Sequence, residues 1–249
     1  MMNEKEMKYL NYDKKQTCKG RKIAVFEYTT SKYLKELTNV IQPFKMGYNL
    51  YEDKEFSHGF KVCSLVSKYL KDAIIYLLPP NDQGIQFCID NDIEFVNFSG
   101  GNLMASDVLE KELSKKAVLF TSAGNGYGKK EQFTALNKDW IAVGAVEFDS
   151  KGEIVVPSYQ SYGAGAIRTT SFSGIRFHET YGDKVYGTSF SSPLAMIINA
   201  QYKSNYADKY GVELSADYLR SVIYRDSEDI LEYFKDKKSG YGIYKLTDV

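Results

Sequence analysis

The stretch Ala73-Ile74-Ile75-Tyr76-Leu77-Leu78-Pro79-Pro80, with Gly84 to Asp90 and Glu94-Phe95-Val96-Asn97-Phe98 after it, decides the fold class. A short apolar run stopped by two prolines reads as a buried parallel strand. Residues 84–90 then read as a helix and Glu94 to Phe98 as a second buried strand. Outward toward the N-terminus, Val62, Leu65, Val66, Tyr69 and Leu70 recur at helical spacing, so a helix starts near His58. Before it, Lys22-Ile23-Ala24-Val25-Phe26 is another buried strand, ending at Glu27. Thr29-Thr30-Ser31 then offers caps for a helix from about Lys32 to Val40. Toward the C-terminus come a helix at Ala105 to Ser114 and apolar strands at Ala117 to Ser122 and Trp140 to Val146. From Phe148 to Lys184 the pattern is turn-rich, with a hairpin expected at Asp149-Ser150-Lys151-Gly152. Helices from about Ser189 to Asn205 and Ala216 to Tyr224 close the chain. Strands and helices alternating in this way predict an α/β fold: three layers, a doubly wound and mainly parallel sheet with helices on both faces.

A chain of 249 residues, 43% of them hydrophobic and 14% aromatic, has the material for one large core. The expected organisation is a polar N-terminal leader, Met1 to Gly20, and a single domain from residue 21 to 249. Lysine plus arginine equal aspartate plus glutamate at 32 each, for a net charge of zero. That removes the usual electrostatic case for a nucleic-acid partner. Lys68 to Lys71 and Lys235 to Lys238 read as solvated faces. No stretch approaches the roughly 20 apolar residues that span a bilayer, and the first twenty residues do not read as a secretory signal. Cys18, Cys63 and Cys88 are odd in number and lack metal-ligand spacing, so reduced thiols and a cytoplasmic location are expected.

The segments that carry chemistry follow the strands, where ligands sit in such sheets. Gly187-Thr188-Ser189-Phe190-Ser191-Ser192-Pro193 places a hydroxyl in the first turn of an apolar helix. Free backbone N–H groups and the positive end of the helix dipole there suit a developing oxyanion. Gly187 leaves room for a substrate backbone. By themselves these residues also fit a simple Ser or Thr cap. Asn125-Gly126 also fits a glycine-rich turn, and Ser99-Gly100-Gly101 an ordinary strand exit.

The Gly-Thr-Ser-x-x-Ser-Pro run resembles the nucleophile motif of the subtilisin-like (subtilase) serine peptidases, and further segments agree in the family's chain order. Ser57-His58-Gly59-Phe60-Lys61-Val62-Cys63 is similar to its His-Gly-Thr-His-Val motif, which implies that His58 is the general base. The other histidine, His178, lies in the turn-rich stretch. Leu119-Phe120-Thr121-Ser122-Ala123-Gly124-Asn125 is similar to the strand and Ala-Gly-Asn that supply an oxyanion donor, which implies that role for Asn125. Phe95-Val96-Asn97-Phe98-Ser99-Gly100-Gly101 resembles the substrate-binding edge, implying that Ser99, Gly100 and Gly101 pair with an extended peptide. Ile141-Ala142-Val143-Gly144-Ala145-Val146 matches a recurrent family strand. The resemblance thus implies a serine endopeptidase with nucleophile Ser189, acting on peptides or proteins through an acyl-enzyme and needing no cofactor. Glu131 or Gln132 would lie at the base of the pocket for the residue before the scissile bond. No acidic loop has convincing ligand spacing, so no calcium or other metal is expected.

Departures mark the rest. The first triad segment usually ends in aspartate; here Glu27 follows the strand, and Asp13 and Asp53 are the other nearby acids. The extra methylene moves a carboxylate by roughly 1.3 Å if the backbone stays put. So His58 or the Glu27 backbone must be displaced, or activity suffers. Phe60 and Lys61 replace a threonine and a histidine, and little chain precedes the first strand for a folding prodomain. The alternative reading is a pseudopeptidase that binds a peptide or protein partner. A carboxyl peptidase of the sedolisin kind fits less well, because His58 and Asn125 stand where that group has neither.

Overall fold

A computed structural model of the chain describes residues 2–48, 57–129, 133–162, 167–172, 175–176, 184–231 and 236–249. Its helices are α1 (Glu4–Tyr9), α2 (His58–Tyr69), α3 (Asp82–Asp90), α4 (Asp107–Ser114), α5 (Phe133–Leu136), α6 (Thr188–Tyr210) and α7 (Ala216–Arg225). Its strands begin with β1 (Lys22–Phe26), β2 (Thr29–Thr30), β3 (Val40–Ile41), β4 (Gly47–Tyr48), β5 (Ile74–Leu78), β6 (Phe95–Phe98) and β7 (Val118–Ser122). They continue with β8 (Ile141–Phe148), β9 (Ile154–Val155), β10 (Ile167–Phe172), β11 (Ile175–Arg176), β12 (Lys184–Val185), β13 (Ser227–Glu228) and β14 (Ile243–Tyr244). The main sheet runs β13-β14-β10-β8-β7-β6-β1-β5-β3, with β9 paired to β8. It is parallel except at β13–β14 and in the β8–β9 hairpin. That hairpin closes at the expected turn, where Gly152 has φ +83° and Asp149 N–H donates to Glu153 O at 2.9 Å.

Successive strand residues face opposite ways, and the sheet uses both faces. Ile23, Val25, Ile75, Leu77, Phe95, Val118 and Phe120 pack with the apolar residues of α2 and α6. Ala24, Phe26, Leu78, Val96, Phe98 and Leu119 pack with Ile85 and Cys88 of α3 and Leu113 of α4. This is the expected three-layer α/β arrangement. Helix α6 is buried from Thr188 to Ser204 apart from Ser189, as a helix apolar on all sides should be. All three cysteines are free and buried.

The expected helix at 32–40 shrinks to a single 3₁₀ turn, Lys32–Glu36, followed by β3. Asn39 explains the change. Its Nδ2 donates to the carbonyls of Leu70, Lys71 and Ala73 at 3.0–3.2 Å, and its own carbonyl accepts from Ile75 N–H. Those bonds tie the segment to the sheet edge, and Asn and Thr are poor helix formers in any case. Polar as it is, the stretch before β1 lies against the domain. The α1 helix carries an Asn3–Glu6 capping box, and Leu10 and Cys18 are fully buried. Met2 N–H donates to Tyr69 Oη, and Leu246 N–H to Leu10 O.

Candidate active site

Three adjacent parallel strands, β7, β6 and β1, end side by side and hand over to Asn125, Ser99 and Glu27 in turn. Glu27 continues the ladder past β1, its N–H donating to Leu78 O at 3.0 Å. Its side chain is buried. His58 opens α2, where Ser57 Oγ caps the helix by accepting from Phe60 N–H. Glu27 Oε1 lies 2.8 Å from His58 Nδ1. The longer acid fits because of Gly59: a Cβ there would stand 3.0 Å from Glu27 Cγ and 3.1 Å from Thr29 O. The additional methylene therefore rests against the bare first turn of α2 while the backbone of β1 keeps its ladder. On its other side the His58 ring stands 5.9 Å from that of Phe190 in the first turn of α6.

Ser189 sits in that turn. Gly187 caps the helix with φ +136°, a conformation that favours glycine, and a Cβ there would meet Asn125 Nδ2 at 3.1 Å. Pro193 lies inside the helix, and its missing N–H leaves the carbonyl four residues back, that of Ser189, without its helical partner. Ser99 supplies the bond instead: its Oγ–H donates to Ser189 O at 2.7 Å. In return Ser189 Oγ–H donates to Ser99 O at 3.3 Å. Behind this clamp Asn97 Nδ2 donates to Ser99 Oγ, and Ser192 Oγ–H donates to Asn97 Oδ1 at 2.7 Å. Asn97 and Ser192 are fully buried. They escaped the sequence reading, although the Ser189-to-Pro193 spacing signals that an orphan carbonyl needs a donor.

Asn125 is exposed, and its amide is oriented by Thr188. The backbone N–H and the Oγ–H of Thr188 both donate to Asn125 Oδ1, at 3.0 and 3.1 Å, and Thr188 Oγ1 accepts from Gly124 N–H. With Oδ1 occupied, the Nδ2 donors are left facing Gly187. Thr188, which by sequence offered only a cap, is thus an orienting residue.

Next to this, Gly100 lies under two rings. A Cβ on it would overlap Phe98 at 2.4 Å and approach Tyr28 at 3.2 Å. Tyr28 donates its hydroxyl to Asn102 O. Burial raises its pKa, partly offset by the Asn102 bond, with nearby Glu27 adding to the rise. Gly101 O accepts from Thr134, whose Oγ1 also holds Leu103 N–H. Asp13 lies elsewhere, its N–H bonded to Gln201 of α6. Asp53, Glu131, Gln132 and His178 lie outside the described residues.

The subtilase family profile matches residues 78–242. The chain belongs to the subtilase family. The matched span holds Ser99 to Gly101, Asn125 and Ser189, while Glu27 and His58 precede it. This subtilase is also similar to a solved structure described as a lanthipeptide protease, with a TM-score of 0.69 and 18% identity over 98% of this chain and 94% of that one. That likeness is one of fold. No curated protein sequence matches the chain. Among the described residues no group of three His, Cys, Asp or Glu could hold a metal ion, and no helix is long and apolar enough to cross a membrane.

Proposed function

We propose that this subtilase is a serine endopeptidase working through a Ser-His-Glu set. The observation that carries the reading is the 2.8 Å contact between Glu27 Oε1 and His58 Nδ1. A carboxylate there holds the imidazole in the tautomer whose Nε2 carries no proton and can act as the base, and it stabilises the imidazolium once formed. In the reaction the Ser189 hydroxyl turns from the Ser99 carbonyl toward His58. Its oxygen bonds to the peptide carbonyl carbon as its proton passes to Nε2. The carbonyl oxygen becomes an oxyanion, which Asn125 Nδ2 and backbone N–H of the first α6 turn receive. Collapse expels the amine, which takes the proton from His58 and leaves an acyl-enzyme. Water, deprotonated by His58, then releases the acid and restores Ser189. Ser99, Gly100 and Gly101 would pair with the substrate backbone. No cofactor takes part in these steps. Buried free thiols at Cys18, Cys63 and Cys88 suit a reducing compartment such as the cytoplasm.

The test is active-site labelling. Diisopropyl fluorophosphate should phosphorylate Ser189, mapped by peptide mass, and the label should vanish in His58→Ala. A folded native chain that stays unlabelled, yet binds peptides equally well with and without Ser189→Ala, would mark it as a pseudopeptidase.

A further inference from the structure

Gly144 of β8 and the loop that carries Asn125 both close on one segment, residues 157–162. β7 stays on β8 as far as Ala123, whose N–H donates to Val143 O at 2.9 Å. Beyond that point the chain from Gly124 to Lys129 pairs with residues 159–162 instead. Tyr127 N–H donates to Tyr159 O, Gly128 N–H to Gln160 O and Tyr162 N–H to Lys129 O, each at 2.9 Å. The brace is itself fixed from behind. Gln160 is fully buried; its Oε1 accepts from Ala145 N–H, and its Nε2 donates to Lys238 O at 2.6 Å. Gly144 makes the room, because a Cβ there would stand 2.7 Å from Gln160 Oε1.

Ser161 sits in the middle of this pairing and is buried. Its N–H donates to Gly124 O at 2.9 Å, and its Oγ accepts from Gly126 N–H at 2.8 Å. Those two groups belong to the peptide units immediately before and after Asn125. Peptide units are planar, so φ and ψ of Asn125 are the only soft backbone rotations between them. Holding both planes on one residue fixes both rotations, and with them the direction of the Asn125 Cα–Cβ bond. Thr188 then settles the amide beyond Cβ by donating to Oδ1. Gly126 leaves space for the contact: a Cβ on it would meet Ser161 Oγ at 2.8 Å.

Accepting the peptidase reading above, on which it rests, we propose that Ser161 is a positioning residue for the oxyanion donor. It sets the backbone of Asn125 before substrate arrives, so Nδ2 need not be recruited as charge develops. A donor fixed in advance spends nothing on reorganisation at the moment of reaction. The effect of Ser161 runs through Asn125 and through no atom of the substrate.

The experiment is a pair of mutant cycles read by steady-state kinetics on one peptide. Ser161→Ala removes the Oγ and keeps the N–H, so kcat should fall about tenfold while KM moves less than about twofold. In an Asn125→Ala background the same change should lower kcat by less than about twofold, because the group that Ser161 serves is gone. Gly126→Ala crowds the Ser161 Oγ from the other side. It should reproduce the loss, and it replaces Ser161→Ala in the cycle if that variant does not fold. A second readout needs no turnover. The side-chain amide of Asn125, followed by heteronuclear NMR in Ser189→Ala and identified by its loss in Ser189→Ala/Asn125→Ala, should move when Ser161→Ala is added. A moved resonance in a chain that cuts no peptide would sink the peptidase reading alone, with Ser161 still the residue that sets Asn125. A kcat loss that persists undiminished in Asn125→Ala, or an Asn125 resonance that Ser161→Ala leaves in place, overturns the assignment.

Discussion

At Glu27 a single methylene decides whether the site can be assembled. The acid at the end of β1 and the histidine opening α2 were both legible, since strand end and helix start each carry a local signature. The fit between them was not, because Gly59 reads as part of a motif until the backbone shows Glu27 Cγ lying against it. On the proposed mechanism the fit is specific to glutamate. Glu27→Asp withdraws the carboxylate by roughly one carbon–carbon bond projection, about 1.3 Å, and kcat/KM should fall on the order of 10²-fold. Steady-state kinetics on one peptide checks this, with circular dichroism to confirm folding. Activity equal to the native chain would mean that the family's usual acid fits as well, and that Gly59 is no special accommodation.

The first turn of α6 depends on a neighbour for a bond that its own proline forgoes. Ser99→Ala removes the hydroxyl that serves the Ser189 carbonyl and should lower stability by about 1–3 kcal/mol, the scale of an unsatisfied buried acceptor. Because that carbonyl belongs to the proposed nucleophile, kcat should drop about tenfold while KM changes little, a loss realised in the transition state. Pro193→Ala returns an N–H four residues on, so Ser99→Ala/Pro193→Ala should recover part of the melting temperature lost by Ser99→Ala alone. Simple additivity of the two changes in thermal melts would count against the clamp. The nucleophile motif announced this helix and its start. That its proline reaches across to β6 through Ser99, Asn97 and Ser192 is a tertiary fact. The 32–40 segment shows the converse, where caps and composition suggested a helix and Asn39 bonded instead to the loop before β5.

Across the whole molecule, the layer of α3 and α4 packs on the sheet through an apolar cluster, and a carboxylate of α4 adds a tie to the segment that leads into β8. Glu110 of α4 is buried and accepts from Trp140 Nε1 at 2.6 Å and Asn137 Nδ2 at 2.9 Å. Burial raises its pKa above the ordinary glutamate value, Asp107 and Asp139 add to the rise, and the two donors partly oppose it. A carboxyl whose folded pKa is raised holds its proton more firmly folded than unfolded, so its contribution to stability is lost as pH climbs through the raised value. Glu110→Gln keeps an acceptor oxygen and does not titrate. Its melting temperature relative to the native chain should therefore improve from pH 4 to pH 7. A difference that stays flat or shrinks over that range would show that the ionised form is well served by its donors.

The α/β alternation, the strand ends and the motif order were all written into the sequence, because apolar periodicity and cap residues act over a few neighbouring positions. The meeting of Glu27 with His58 over a bare Gly59, the Ser99–Ser189 clamp and the packing of Tyr28 over Gly100 were decided only by tertiary structure. Each joins atoms far apart along the chain at separations of a few ångströms, and local pattern carries no information on such distances. They became fixed once β7, β6 and β1 lay side by side in register.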